Sequence, residues 1–160
     1  MPSFDITSEF NSQEVLNAVI QMNREIVNRY DFKDTNTSVD LSNEIISLRS
    51  STEERLKAAD QVLREKFVKR NVSIKFLTNF TDEETPSESK RIYTLKSGID
   101  KETSKVIVKD IKEFSKKLQS SIQNESIRVN SKKRDELQEA IIFLKSKNYN
   151  VYLNYGYFRD

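Results

Sequence analysis

The stretch Ile127–Leu144, IRVNSKKRDELQEAIIFL, reads as a short strand, a sharp turn and an amphipathic helix. Ile127 and Val129 alternate with Arg128 and Asn130, the period of a strand with one buried face. Leu137, Ala140, Ile141 and Leu144 then recur at the spacing that puts them on one face of a helix. Ser131 stands where an N-cap belongs, its hydroxyl placed to accept from the first free backbone N–H groups. Lys132, Lys133 and Arg134 follow at once. Cations at a helix N-terminus meet the positive end of the helix dipole. A bound anion removes that conflict, and helix N-termini do bind phosphates.

The same pattern stands at Ile46–Leu63, ISLRSSTEERLKAADQVL. A shift of 81 residues aligns Ile46 with Ile127, Leu48 with Val129, Ser50 with Ser131, Leu56 with Leu137, Ala59 with Ala140 and Leu63 with Leu144. Alternating segments come after both, Val72-Ile74-Phe76 and Val151-Leu153-Tyr155. The chain therefore contains an internal duplication. The first copy opens its helix with Ser51, Thr52, Glu53 and Glu54, an ordinary capping sequence, where the second carries cations. Departures from local rules tend to mark function.

Outward from these two stretches, each copy reads as β-α-β-β-α-β, the ferredoxin-like order. Ser3–Glu9 alternates Phe4 and Ile6 with polar residues, a half-buried strand. A helix follows from Asn11, with Val15, Leu16, Val19, Ile20, Ile26 and Val27 inward, and ends near Tyr30-Asp31-Phe32-Lys33. Strands are expected near Ser38–Leu41 and Glu44–Arg49, then a helix from Ser51 to Lys69 and a strand at Val72–Leu77. Phe80–Lys90, FTDEETPSESK, is acidic and aperiodic and reads as a linker. The second copy opens with Arg91–Ser97, Ile92 and Leu95 inward, and continues into a helix with Ile107, Ile111, Phe114 and Leu118 on one face. A short strand near Ser121–Gln123 leads back to the opening stretch.

Composition narrows the chemistry. Charged residues make up 32% of the 160 residues, and the mean hydropathy is −0.70. The apolar residues are nevertheless periodic, as in a folded protein. No apolar run is long enough to span a membrane. The opening MPSFDITSE has neither a basic segment nor an apolar core, so no signal peptide is expected. With no Cys, the expected compartment is the cytoplasm. The chain has no His and no Cys, which removes the usual metal ligands and the commonest acid–base and thiol chemistry. Two glycines, Gly98 and Gly156, are too few for a phosphate-binding loop. No cofactor and no enzymatic turnover are expected. The net charge of +2 hides an asymmetry. Residues 1–90 hold 12 Lys/Arg against 16 Asp/Glu, and residues 91–160 hold 15 against 9. The second half is the expected surface for a nucleotide or polyanion.

Lys132, Lys133 and Arg134 head the candidates, although the same residues also read as a solvated turn offset by Asp135 and Glu136. Arg128 projects opposite Ile127 and Val129, where it can meet a phosphate or form a sheet-face ion pair. Phe158 and Arg159 can clamp a base and a phosphate, or simply close the sheet. Lys101, Lys105, Lys109, Lys112 and Lys116 form a stripe opposite Ile107 and Ile111 that reads as a solvated face. Arg24 has Glu25 and Asp31 nearby as partners.

MPSFDI-SE at the start, NREI and R-DFK at 23–33, LK-GI at 95–99, KDIK at 109–112, IRV---KRDELQ at 127–138 and the closing FRD together resemble the YajQ family, end to end and with its spacing. The resemblance implies an α+β fold of two tandem ferredoxin-like units with antiparallel sheets, their first strands exchanged. Residues 10–98 would form the first unit, with the acidic linker 80–90 and the exchanged strand 91–97. Residues 1–9 and 99–160 would form the second. The family is described as nucleotide-binding, some members binding RNA and some cyclic di-GMP as signalling effectors. The motif matches add Lys109, Lys112, Arg24 and Lys33 to the candidates. The chain departs from the family pattern at Asn124-Glu125, at Asn130-Ser131 and at Asp34. Where glycine is replaced, a ligand comes less close to the backbone.

The expected function is non-enzymatic binding of a nucleotide, cyclic di-GMP or GTP, in a basic groove of the second unit and the seam between units. The alternatives are RNA binding with little sequence specificity, and a protein-interaction adaptor whose basic patch meets an acidic partner. No membrane partner is expected.

Overall fold

The computed structural model describes all residues 1–160. It contains four helices and two four-stranded antiparallel sheets. The strands are β1 (Ser3–Thr7), β2 (Ser38–Ser42), β3 (Ile45–Ser50), β4 (Phe80–Thr85), β5 (Glu88–Thr94), β6 (Gln119–Gln123), β7 (Ser126–Asn130) and β8 (Asn154–Arg159). The helices are α1 (Ser12–Asn28), α2 (Glu53–Lys69), α3 (Lys101–Phe114) and α4 (Arg134–Ser146). One sheet has the order β6-β7-β1-β8 and the other β2-β3-β5-β4. The chain divides into a continuous unit, Phe10–Lys96, and a split unit, Met1–Glu9 with Ser97–Asp160. No helix is long and apolar enough to cross a membrane.

In the split unit β1 lies between β7 and β8, antiparallel to both. Phe4 and Ile6 face α3 and α4 and pack with Ile107, Ile111, Ile127, Val129 and Leu144. The alternation predicts a half-buried β1, yet all five residues are buried. A strand with neighbours on both sides has little exposed backbone, and Asp5 on its other face is covered by arginines. In the continuous unit β5 takes the equivalent central position, between β3 and β4. The first strand of each duplicated copy thus lies in the sheet built from the rest of the other copy.

The hairpins repeat the 81-residue offset. Asn43 and Asn124 occupy equivalent turns, β2–β3 and β6–β7, and both adopt positive φ, +54° and +58°. Asn tolerates that conformation better than most residues with a side chain.

Several local expectations differ from the structure. Val72–Leu77 is not a strand. Ser73 Oγ accepts the Lys75 N–H at 3.2 Å and caps a one-turn 3-10 helix at Ile74–Phe76, while Val72, Phe76 and Leu77 still reach the core. The expected linker Phe80–Lys90 is instead the β4–β5 hairpin, turning at Pro86-Ser87. Every residue of β4 is exposed, so no hydrophobic alternation marks it. The Asp82–Arg91 ion pair across the ladder holds this edge instead, with Glu83 set opposite Lys90. On β5 it is Tyr93, not Ile92, that joins Leu95 in the core. On α1, Leu16, Ile20 and Val27 are exposed, and Ala18 and Met22 bury in their place. Phe114 is also exposed, stacked on Phe143 at 4.3 Å.

The continuous unit encloses a polar cluster under its sheet. Tyr93 donates a hydrogen bond to Asp60 on α2, and Arg64 Nε donates to the same carboxylate at 2.9 Å. Arg91 approaches Asp60 at 3.5 Å while pairing with Asp82 at 2.7 Å. Burial pushes the Tyr93 hydroxyl above its ordinary pKa, and the bond to Asp60 adds to the rise.

Helix α2 begins with Thr52, whose hydroxyl accepts the Arg55 N–H at 3.2 Å. The equivalent residue before α4 is Lys133, which provides no side-chain cap. Lys133→Thr is therefore expected to raise stability by about 1 kcal/mol, and Thr52→Ala to lower it by a similar amount. Urea unfolding of both variants checks this; a Lys133→Thr protein no more stable than wild type would refute the capping argument.

Candidate functional site

The charged centre of the split unit is Asp5. The register sets Asp5 opposite Arg128 on β7 and Gly156 on β8. Arg128 Nε donates to Asp5 at 3.1 Å, and Arg159 donates through two nitrogens, each at 3.1 Å. Arg159 reaches this face because β8 breaks its register between Gly156 and Arg159, with Tyr157 at φ +55°. The same irregularity turns Phe158 toward Phe4, with ring centroids 6.0 Å apart, and leaves the residue 58% exposed.

Beside this network lies a cleft of about 210 Å³, lined by Pro2, Ser3, Arg134, Leu137, Gln138, Phe158, Arg159 and Asp160. Three of the expected site residues, Arg134, Phe158 and Arg159, meet here. Arg134 is the first residue of α4 and touches the Asp160 side chain, both largely exposed. The helix begins two residues later than the Ser131 cap predicts. Ser131 is buried, accepts the Lys133 N–H at 3.4 Å and donates to Glu136. Only Arg134 of the three cations therefore lies inside the first turn, where Asp135 and Glu136 already complement the dipole. Lys132 and Lys133 precede it, exposed. The cations do not form the uncompensated helix start that the sequence suggests.

Arg128 is tied to Asp5 and does not line the cleft. Lys109 and Lys112 are exposed on α3, outside the cleft lining. Arg24 and Lys33 belong to the continuous unit. Lys33 lines a separate surface hollow with Tyr30 and Asp34, and Arg24 is exposed on α1. The partners expected for Arg24 go to Arg29 instead, which pairs with Glu25 at 3.0 Å and Asp31 at 2.7 Å.

Sequence reasoning missed Asp5, Ser3 and Asp160. Asp5 reads locally as the polar phase of an alternating strand, and its two arginine partners lie 123 and 154 residues away. A buried position for β1 would have exposed the signal, because a carboxylate on a doubly flanked strand needs cationic partners.

Burial acts to raise the Asp5 carboxyl pKa, but hydrogen bonds and charge from Arg159 and Arg128 together outweigh it and hold the pKa below the ordinary aspartate value. A carboxyl depressed in the folded state contributes stability that is fully present above its unfolded pKa. That contribution is lost as pH falls through the folded value. Asp5→Asn is thus expected to be less stable than wild type at neutral pH, with the gap closing below about pH 4. Urea midpoints at the two pH values test this, and a gap that persists unchanged in acid would refute it.

Comparison with known proteins bears on the whole chain. The family described as "Nucleotide-binding protein YajQ-like" matches residues 2–159. A nucleotide-binding protein of Frankia casuarinae is 45% identical over 161 residues, covering 99% of this chain and 98% of the relative. One from Parafrankia sp. (strain EAN1pec) is 43% identical, covering 99% and 98%. Another, from Hahella chejuensis, is 40% identical with both chains covered completely. Matched from end to end by the family and by relatives of its own length, this chain belongs to the YajQ-like family.

Proposed function

We propose that this chain binds a nucleotide without turning it over, in the cleft between the start of α4 and the end of β8. The observation that carries the reading is the meeting of Phe158, Arg159 and Arg134 around one opening. An exposed ring offers a stacking surface to any base. Arg159 has five N–H donors and commits two nitrogens to Asp5, so Asp5 orients it while leaving N–H groups for a phosphate. Arg134 faces only an exposed carboxylate, Asp160, which an incoming phosphate can displace at small cost because exposed ion pairs are weak. The relatives' names, nucleotide-binding proteins, point the same way.

The size of the cleft limits the ligand. At about 210 Å³ it is smaller than the roughly 300–1,000 Å³ of sites that enclose a drug-sized molecule. It holds one base or one phosphate group and leaves the remainder of the ligand in solvent. A half-open site of this kind suits a single nucleotide, and equally one nucleotide within a single strand of RNA. For RNA, the exposed Lys132 and Lys133 would meet neighbouring phosphates.

Calorimetric titration with GTP, cyclic di-GMP and a short single-stranded RNA separates these readings. Phe158→Ala and Arg134→Glu are each expected to weaken the ligand that binds by roughly tenfold or more, and Lys33→Ala to change nothing. A steep fall of affinity with salt identifies RNA. No binding of any of the three by the folded protein would overturn the proposal, as would binding indifferent to Phe158 and Arg134.

A further inference from the structure

Four strands lie at sheet edges: β6 and β8 in the split unit, β2 and β4 in the continuous one. An edge strand presents unpaired N–H and C=O groups, and proteins that stay apart guard such edges with charge, proline or a bulge. β4 carries Asp82, Glu83 and Glu84, and β2 carries Asp40. β8 has an irregular register and ends on Arg159. β6, with the sequence QSSIQ, has none of these devices and keeps unbroken register with β7 over all five residues. Ser121, Ile122 and Gln123 are exposed, Ile122 at 42%.

The flanks of β6 carry opposite charges: Lys117 before it and Glu125 after it, both exposed. The nearest carboxylate oxygen to Lys117 Nζ is on Glu136, at 4.0 Å. Gln123 and Ser126 close a two-residue turn, and residues closing such a turn exchange both their hydrogen bonds. By alternation, the backbone groups of Ser120 and Ile122 point away from β7, toward the open side.

We propose that β6 pairs antiparallel with β6 of a second copy of this chain, about a two-fold axis at Ser121. In that register Ser120 of each copy exchanges hydrogen bonds with Ile122 of the other, using the outward-pointing groups. Lys117 and Glu125 lie in the turns at either end of β6, so the Lys117 end of each copy comes beside the Glu125 end of the other, and the edge is self-complementary in charge as an isologous contact requires. The two Ile122 side chains become diagonal neighbours on one face of a continuous eight-stranded sheet. Two five-residue strands cover less than a standard interface, so the dimer is weak and concentration-dependent. Nucleotide binding is not needed for it.

Analytical ultracentrifugation of the full chain, from dilute to concentrated solution, tests the pairing. The mass is expected to rise from 18.7 kDa toward twice that value. Ser120→Pro removes an outward N–H without breaking the β6–β7 ladder and is expected to abolish the rise. Lys117→Glu and Glu125→Lys are each expected to weaken association several-fold, and the two together to restore it. The charge swap decides the matter even if Ser120→Pro fails to fold. A monomer at every concentration overturns the proposal, and so does a dimer that tolerates both single charge reversals.

Discussion

Neither sheet forms from the strands of one duplicated copy alone. In the split unit β7 and β8 do not touch as a ladder, and β1 lies between them, supplying the pairing on both sides. In the continuous unit β5 does the same for β3 and β4. A central strand is desolvated on both edges and must satisfy its backbone through neighbours. The placement of Phe4 and Ile6 over α3 and α4, the burial of Asp5 and the approach of Arg128 and Arg159 all follow from that one position.

The duplicated copies show what the scaffold tolerates. The turn residue Asn43 reappears as Asn124, because the left-handed conformation there restricts the side chain. The cap Thr52 becomes Lys133, and the helix start loses a hydrogen bond. Asp60, held under the first sheet by Tyr93, Arg64 and Arg91, corresponds to Ile141 in the second core. A buried carboxylate with several donors and an isoleucine with none are two solutions to filling the same place, and each is internally consistent. One copy encloses its polar network, and the other places its arginine–carboxylate cluster on the opposite side of the sheet, beside an opening.

Much of the architecture was legible because burial leaves a period in the sequence. Ile127 and Val129, Ile107 and Ile111, and Leu137 to Leu144 occupy the core faces that their spacing assigns. Where burial leaves no period, the reading failed. β4 is exposed along its whole length and is held by charge across the ladder. Val72 to Leu77 is apolar enough for a strand, but Ser73 turns it into a helical turn. The candidate site was half legible for a related reason. Arg134, Phe158 and Arg159 are conspicuous residues in the sequence, and the fold brings them to one cleft. Arg128 also stood out, but its partner Asp5 lies 123 residues away, beyond any local pattern. The lysine run before α4 suggested an uncompensated dipole, yet the helix starts at Arg134 with two acids in its first turn.

The position of β1 also has a consequence in time. Ribosomal synthesis delivers Ser3–Thr7 long before its partners Ser126–Asn130 and Asn154–Arg159. The continuous unit has its whole complement of strands once Thr94 has emerged. β1 must wait for β7 and β8, and its bond from Arg159 to Asp5 spans 154 residues. Such long closures are slow to form, since chain entropy is lost before the contact is gained. Until β7 has left the ribosome, Phe4 and Ile6 have no strand to pair with. β1 is made before either of the strands it joins.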